Sequence, residues 1–168
     1  MSNSRMSYCL DVGAGHFPRG NVAIDIRHTH MGKVIEHYVI GDACNLPFRD
    51  NCFSKLESHG AVNYFVDDEK FLNEVRRVVR PKGLVIISAY SYYDFFTYLL
   101  KSIKGGDSGI LRIILNTLRG RYRWYTITTL KRKFHQQGLE VTKTYANVSL
   151  YWRPTRTPHN LALVAIKR

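Results

Sequence analysis

Short apolar runs separated by turns dominate the first half of the chain. They cover residues 8–12, 21–26, 38–42 and 54–58, and a longer β-branched run covers residues 84–89. Runs of this length, bounded by glycine, proline and acidic residues, predict β-strands, and the continuous run at 84–89 is typical of the centre of a parallel sheet. The pattern therefore predicts a sheet built from strands that follow one another along the chain.

Helical periodicity occurs between and after these runs. Asp67 and Asp68 can cap a helix whose apolar residues recur on one face, and the sequence Arg-Pro-Lys-Gly at residues 80–83 ends it. The other predicted elements are a helical hairpin over residues 92–118 with its turn at 104–109, a helix over 128–137, and strands over 139–148 and 161–166. Alternating strands and helices predict an α/β fold.

The connection between the first two strands is too short for a crossover helix. Only six residues, His16 to Asn21, separate Gly15 from the second strand, and Pro18 and Gly20 lie among them. Since a parallel crossover that carries a helix needs about ten residues or more, we expect this first helix to be shortened or absent.

The turn after the first strand and the acids at the strand ends form a candidate ligand site. Gly13 and Gly15 let the backbone bend sharply and leave no side chain between the main chain and a ligand. Asp25 and Asp42 end the next two strands at the same sheet edge, and Asp25 can accept hydrogen bonds from ribose hydroxyls. These residues predict a nucleoside-binding crevice. A dinucleotide oxidoreductase would also need a third glycine opening a helix, which the sequence lacks.

The formal charge of the 168-residue chain, +12, is unevenly distributed. The residues through Glu74 carry seven Lys/Arg and ten Asp/Glu, a net −3, whereas the rest carry eighteen and three, a net +15. The basic segment from Arg119 to Lys133 also contains three aromatic residues. This asymmetry favours an anionic partner, such as nucleic acid, a phosphorylated metabolite or a membrane surface, although a basic surface also serves solubility alone.

The length fits one domain, residues 1–168, in which residues 92–124 form a helical and basic insertion. No apolar run reaches the length of a membrane span, and residues 1–7 lack the apolar core of a signal peptide, so we expect a cytoplasmic protein. The cysteines show neither disulfide nor zinc spacing, and no metal site is predicted.

Five segments occur in an order that resembles the class I S-adenosylmethionine-dependent methyltransferases, in particular their type 11 domains. They are LDVGAG at residues 10–15, NVAID at 21–25, GDACNLPF at 41–48 with DNCF at 50–53, FLNEVRRVVRPKG at 71–83, and residues 128–141. The resemblance implies a Rossmann-like, seven-stranded and mainly parallel sheet with the last strand antiparallel. It also implies S-adenosylmethionine as the cofactor.

The same resemblance assigns roles around the crevice. It places Asp11 and the backbone of Gly13, Ala14 and Gly15 at the methionine end of the cofactor. It places Asp25 at the ribose. It places Ile26, Asp42 and the Ala43 amide at the adenine. It also places Ser58 at the border of the cofactor. Carboxylates suit this crevice because the cofactor sulfonium is positively charged.

Candidate chemistry lies at the end of the fourth strand, beside the expected methyl group. His59 either takes a proton from a substrate hydroxyl or amine, as histidines commonly do, or only lines the crevice. The residues predicted to contact substrate are Asn63, Tyr64, Arg121, Arg123 and Trp124. We expect metal-free transfer to an oxygen or nitrogen nucleophile of an unidentified substrate, with RNA, a protein or a phosphorylated small molecule all compatible with the charge.

The hairpin of residues 92–118 interrupts the family pattern after the fifth strand and is predicted to lie over the crevice. Its apolar faces need cover, and we expect them to pack on the domain, with a homodimer or membrane interface as the alternatives. For the whole chain, the alternatives are a catalytically inactive domain that binds the cofactor and a basic module that binds nucleic acid or membrane without it.

Overall fold

The computed structural model describes residues 8–16, 18–27, 37–92, 95, 96, 99, 100, 108–145 and 160–168. Its seven strands are β1 (Cys9–Val12), β2 (Val22–Asp25), β3 (His37–Ile40), β4 (Phe53–His59), β5 (Val79–Tyr90), β6 (Leu139–Tyr145) and β7 (Asn160–Lys167). They form one sheet in the order β3-β2-β1-β4-β5-β7-β6. Strands β1 to β5 pair in parallel and β7 runs antiparallel to both β5 and β6. The predicted α/β fold with an antiparallel last strand is therefore confirmed.

Three α-helices are described, α1 (Asp68–Val78), α2 (Ser108–Leu118) and α3 (Ile127–Gln136), together with a 3-10 turn at Val62–Tyr64. Helix α1 begins as predicted, because the Asp67 carboxylate accepts hydrogen bonds from the backbone N–H groups of Glu69 and Lys70 at 3.1 and 2.9 Å. Helix α3 begins where the Thr126 hydroxyl accepts from the Thr129 N–H at 3.1 Å.

The main core lies between one face of the sheet and helices α1 and α3. Leu56 of β4 and Ile87 of β5 are fully buried there against Phe71 of α1 and Phe134 of α3. Burying each such side chain stabilises the fold by roughly 1.5–3 kcal/mol. Because alternate residues of a strand face opposite sides of the sheet, the neighbours of these core residues lie on the other face, where they can serve a site.

The connection from β1 to β2 contains no helix among its described residues, 13–16 and 18–21, as predicted. The start of β5 differs from the prediction, which placed it at residue 84. Phe53 already pairs with Val79, and after an irregularity in the register Lys55 pairs with Leu84. The intervening residues, predicted only as a stop for α1, belong to this irregular start, and Lys82 has φ +63° there.

The hairpin prediction is met in its described parts. Residues 92, 95, 96, 99 and 100 have helical backbone and α2 follows. The turn was predicted at 104–109, but residues 108 and 109 already belong to α2, and residues 104–107 lie outside the described residues. Phe95 packs on Trp124 with a ring-centroid distance of 5.4 Å. Six large apolar side chains of these two segments are nevertheless exposed, so the expected packing on the domain covers only one side of them. None of the described helices is long and apolar enough to cross a bilayer.

Candidate active site

The loop after β1 is shaped by two glycines with left-handed backbone, Gly13 (φ +68°) and Gly15 (φ +55°). A Cβ atom at Gly13 would overlap the Cβ of Ala61, so the position requires glycine for space as well as for conformation. The Gly13 N–H donates to the Ile24 carbonyl at 2.9 Å. The loop is therefore held over the carboxyl end of β2, where a parallel sheet places its ligands.

Two carboxylates secure this short connection. Asp25 accepts hydrogen bonds from the Gly15 N–H at 2.9 Å and from the Arg27 N–H at 3.2 Å. Asp11, only 2% exposed, accepts from the Arg19 N–H at 2.8 Å. Burial raises the pKa of the Asp11 carboxyl, and that hydrogen bond partly opposes the rise. Two of the three acids predicted to contact the cofactor thus also hold this loop, whose described residues contain no crossover helix.

A cavity of about 590 Å³ opens at the ends of β1, β2 and β3. Five residues predicted for the cofactor line it: Gly13, Asp25, Ile26, Asp42 and Ala43. The Asp42 carboxylate accepts from the Cys44 N–H at 2.8 Å, which fixes the turn that carries the buried Ala43. The cavity is large enough for a nucleoside, since small-ligand sites commonly enclose about 300–1,000 Å³.

A second cavity, of about 220 Å³, lies beside the first. It is lined by the other predicted cofactor residues, Asp11, Ala14 and Gly15, and also by Arg19. Both cavities share Gly13 and His59. The two spaces therefore adjoin at these residues and suit a ligand with a nucleoside at one end and a smaller charged group at the other.

His59 lies at this junction in a defined orientation. Its Nε2 is 2.9 Å from the Glu57 Oε2, and Glu57 also forms an ion pair with Lys55. The hydrogen bond from His59, with help from Lys55, lowers the pKa of Glu57 to about 2. Because an ionised carboxylate only accepts hydrogen bonds, the proton of a neutral His59 is assigned to Nε2. Its Nδ1 is buried and has no hydrogen-bond partner among the described residues, so it is an acceptor.

Two of the other predicted residues lie in the core instead of the cavities. Ser58 is fully buried and lines neither cavity, because it alternates with His59 and faces the side of Leu56. Asn63 is fully buried, and its amide donates to the carbonyls of Tyr90 and Arg123 at 3.1 and 2.5 Å. Both of its N–H groups are used by the fold, so the structure gives Asn63 no free donor for a substrate.

The predicted substrate residues of the basic segment differ in whether the fold uses their side chains. Arg123 donates to the carbonyls of Phe65 and Val66 at 3.2 and 2.5 Å. Trp124 is buried and donates from Nε1 to the Thr117 hydroxyl at 3.0 Å. Arg121 is exposed. Tyr64 is exposed as well and lines the larger cavity, so it is the predicted substrate residue that the structure brings to the site.

Glu57 was not predicted as a functional residue from the sequence. A signal for it was available, since Glu57 and His59 are two residues apart on a strand and therefore share a face. Cys44 and Lys70, which also line the larger cavity, carried no such signal. The described residues contain no cluster of three or more histidine, cysteine or acidic side chains that could hold a metal ion.

Comparison with known proteins gives a family for this site. A family model described as "Methyltransferase domain" matches residues 10–87, which run from β1 into β5. Norajmaline N-methyltransferase from Rauvolfia serpentina is 29% identical over 79 residues, or 47% of this chain. The match spans 27% of that protein, so the chain covers about a quarter of the relative's length.

Solved structures give the same fold. A methyltransferase from Haloferax volcanii, solved with the Trm112 methyltransferase activator, superposes with a TM-score of 0.66 at 17% identity, covering 94% of this chain and 81% of that one. Phosphoethanolamine N-methyltransferase 2 from Haemonchus contortus, in complex with S-adenosyl-L-methionine, gives 0.63 at 13% identity and covers 96% and 49%.

The model of the methyltransferase domain family matches residues 10–87, and the strand order and the solved structures give the chain the class I methyltransferase fold. The resemblance read from the sequence is thus confirmed, and S-adenosylmethionine is the cofactor of this class. The site fits it in three respects. Gly15 borders open space in the smaller cavity, since no atom beyond Gly15 itself and its two chain neighbours lies within 4 Å of where its Cβ would stand. The paired cavities match the two ends of the cofactor, and Asp11 and Asp25 supply negative charge that suits a sulfonium.

Proposed function

We propose that this chain is an active methyltransferase that transfers the methyl group of S-adenosylmethionine to an oxygen or nitrogen nucleophile. The observation that carries the proposal is the position of His59, which lines both cavities where they adjoin and whose buried Nδ1 has no hydrogen-bond partner among the described residues. An unpaired buried acceptor costs stability, and a catalytic or binding role accounts for that cost. The Glu57 hydrogen bond keeps this nitrogen unprotonated on the neutral ring.

In this proposal the cofactor residues keep the roles that the sequence indicated. Asp25 accepts hydrogen bonds from the ribose, and Asp42 and the Ala43 amide bind the adenine edge, with Ile26 against the ring. Asp11 and the backbone of the glycine loop, residues 13–15, hold the methionine end. The cavity lining supports this division, because the first group lines the larger space and the second lines the smaller one.

When bound, the cofactor supplies an electrophilic methyl group on a positively charged sulfur, so its C–S bond breaks as a C–O or C–N bond forms. The protein supplies position and a proton acceptor. A movement of the His59 ring first opens Nδ1, which is buried in this structure, to the cavity. His59 then takes the proton of the nucleophile at Nδ1, and Glu57, ionised at neutral pH, stabilises the resulting imidazolium through Nε2–H. Lys55 keeps Glu57 ionised. Glu57 acts through His59 and is therefore a positioning residue.

The substrate enters beside Tyr64, the exposed aromatic residue of the cavity wall. Arg121 is the predicted substrate residue of the basic segment that remains available to an anionic group. The Rauvolfia and Haemonchus proteins are both named as N-methyltransferases. Nitrogen nucleophiles are accordingly the first class to test, ahead of hydroxyls.

The proposal is tested by incubating the protein with methyl-labelled cofactor and a lysate separated into RNA, protein, lipid and small-molecule fractions. We expect one fraction to take the label. His59→Ala should lower that turnover about a hundredfold, a typical contribution of a general base, with cofactor affinity measured by calorimetry changed less than about twofold. The matched control is His135→Ala on α3, whose exposed side chain lies outside both cavities.

Two outcomes would contradict parts of this proposal. Equal losses of affinity and turnover in His59→Ala would make His59 a cofactor-binding residue and not a base. Tight cofactor binding by the parent protein without label in any fraction would favour the alternative of a catalytically inactive domain that binds the cofactor.

A further inference from the structure

Large apolar side chains are exposed along the two helical segments that follow β5. They are Tyr92, Phe96 and Leu100 on the first segment and Leu111, Leu115 and Leu118 on α2, and together we call them the hairpin surface. Each is at least 39% exposed, and Leu118 is 78% exposed. Their spacings, four and four residues on the first segment and four and three on α2, place each set on one helical face.

The opposite side of these segments is packed. The Phe95 ring lies edge-on to Trp124 at 5.4 Å, and Trp124 donates from Nε1 to Thr117 of α2 at 3.0 Å. Both segments are thus anchored on the same buried tryptophan. The hairpin surface lies on the side of the two segments that faces away from Trp124, and no described residue covers it. Several large apolar side chains exposed on one face of a helix commonly mark an interaction site.

The exposed charged side chains described on α2 and in the three residues after it are positive. Helix α2 carries Arg112, Arg119 follows its last turn, and Arg121 comes two residues later, and all three are exposed. Arg112 and Arg119 are seven residues apart, so they lie along one side of the leucine stripe of α2. The helix contains no acidic residue.

These charges discriminate between partners. A second copy of the chain packed through the same surface would bring arginines of both copies together, and like charges at an interface oppose association. Nucleic acid would use the arginines but would gain nothing from exposed leucines. Tyr122 and Trp124, two aromatic residues of the basic segment, are buried and so cannot stack on bases. An anionic lipid bilayer satisfies both features, since it offers apolar chains beneath negative headgroups.

We propose that the hairpin surface binds the surface of an anionic lipid bilayer, with its leucines and aromatic residues in the headgroup boundary and its arginines at the phosphates. Aromatic residues such as Tyr92 suit that boundary because one end of the ring is polar. The surface also neighbours the site. Tyr64, which lines the larger cavity, packs on Tyr122 with a ring-centroid distance of 4.6 Å. Tyr122 packs on Trp124 with a ring-centroid distance of 4.7 Å. Docking would therefore hold the cavity mouth near the membrane.

The test is flotation of the full chain with vesicles of phosphatidylcholine alone or mixed with phosphatidylglycerol. We expect binding to the anionic vesicles that weakens as salt is raised. The double variant Leu115→Asp/Leu118→Asp should reduce the bound fraction by about tenfold or more, since it places charge in the apolar stripe. The double variant Arg112→Glu/Arg119→Glu should abolish the preference for anionic lipid.

The matched controls carry the same substitutions elsewhere. Ile40→Asp changes an exposed apolar residue on the edge strand β3, and Arg132→Glu changes an exposed arginine on α3. Both should bind vesicles as the parent does. Because the substituted side chains are exposed, circular dichroism is expected to show all variants folded, and a variant that fails this check is replaced by Leu111→Asp or Leu118→Asp alone.

Three results would overturn the proposal. They are no binding of the parent to anionic vesicles, unchanged binding by the Leu115/Leu118 variant, and a dimer in light scattering that only this variant disrupts. Cofactor affinity, measured on the same proteins, separates this inference from the proposed function. It should be equal in parent and hairpin variants, and a parent that binds vesicles but not cofactor would overturn the methyltransferase proposal alone.

Discussion

Two regions of this chain carry residue types that suggest a site, and the fold uses them in opposite ways. At the carboxyl end of the sheet, Gly13, Asp25 and His59 line open space. In the basic segment of residues 119–133, most of the residues that suggested a nucleic-acid surface are committed to internal contacts. Tyr125 donates to Asp68 at 2.8 Å, and Lys133 reaches Asp68 and Glu69 at 3.1 Å.

The difference follows from where each region lies in the fold. Parallel strands end with unpaired backbone groups and leave a concave edge, so polar residues there remain available to a ligand. The basic segment instead runs past the N-terminus of α1, whose acids Asp68 and Glu69 attract nearby cations. Arginine and tryptophan close to such acids and carbonyls stabilise the packing, and only those on the far side, such as Arg121, stay exposed.

The largest effect that tests this comparison is expected for Asp25→Ala. The substitution removes the carboxylate proposed to bind the ribose and also releases the Gly15 N–H that it holds at 2.9 Å. Charge-assisted hydrogen bonds contribute about 1.5–3 kcal/mol each, so we expect affinity for S-adenosylmethionine to fall about a hundredfold or more in calorimetry.

The matched control for this prediction is Asp50→Ala. Asp50 is exposed and pairs with Arg77 at 2.8 Å, and it lines neither cavity. Its substitution should leave cofactor affinity unchanged. Unaltered affinity in Asp25→Ala would show that the cavity residues are as structural as those of the basic segment, and the contrast between the two regions would fail.

A smaller effect separates two arginines within the basic segment. Arg123→Ala leaves the carbonyls of Phe65 and Val66 without their donor, and we expect the free energy of unfolding to fall by about 2 kcal/mol. Arg121→Ala should change it by less than about 0.5 kcal/mol. Urea denaturation of both variants measures the difference.

For binding to an anionic partner, we expect Arg121→Ala to have a larger effect than Arg123→Ala. If the methylated fraction is RNA, Arg121→Ala should lower the slope of log affinity against log salt by about one. Equal stability losses in the two variants would contradict the assignment of Arg123 to the scaffold.

Much of the cofactor region could be predicted from the sequence because its requirements are local. A left-handed turn needs glycine, and a ribose site needs an acid at the strand end. Both therefore appear in the sequence as particular residue types at a fixed spacing, as at Gly13, Gly15 and Asp25. The missing crossover helix was equally visible, since chain length alone excludes it. The pairing of Phe53 with Val79 could not be predicted, because it depends on how β4 meets the irregular start of β5.

The roles of Asn63, Arg123 and Trp124 lay beyond the sequence for a different reason. Their partners are carbonyls and a hydroxyl that come close only in three dimensions, such as Tyr90 O, 27 residues from Asn63. The same types of side chain would be free on a convex surface. Sequence pattern therefore identified a basic, aromatic segment but not which of its members face water.

The smallest effect concerns the charged cluster of Lys55, Glu57 and His59. Of the three, His59 lines the cavities, and all three are held by contacts with one another, as in the basic segment. Its contacts lower the pKa of Glu57 from an ordinary value of 4.5 to about 2. A carboxyl whose pKa is lower in the folded state stabilises the fold fully above pH 4.5 and loses that contribution as the pH falls towards 2. Allowing for solvent screening at a partly buried site, the contribution is about 1–2 kcal/mol.

Glu57→Gln removes this dependence, so the free energies of unfolding of variant and parent should converge near pH 2, separate as the pH rises to 4.5, and differ by a constant amount above it. Urea titrations between these values measure the separation. The control is Glu140→Gln, an exposed acid paired with Arg168, for which little separation is expected. A Glu57→Gln variant with a large fall in turnover at neutral pH, a small fall in stability and unchanged cofactor affinity would show that the cluster serves catalysis. A loss of stability alone would place Glu57 with Arg123, among the charged residues that serve the fold.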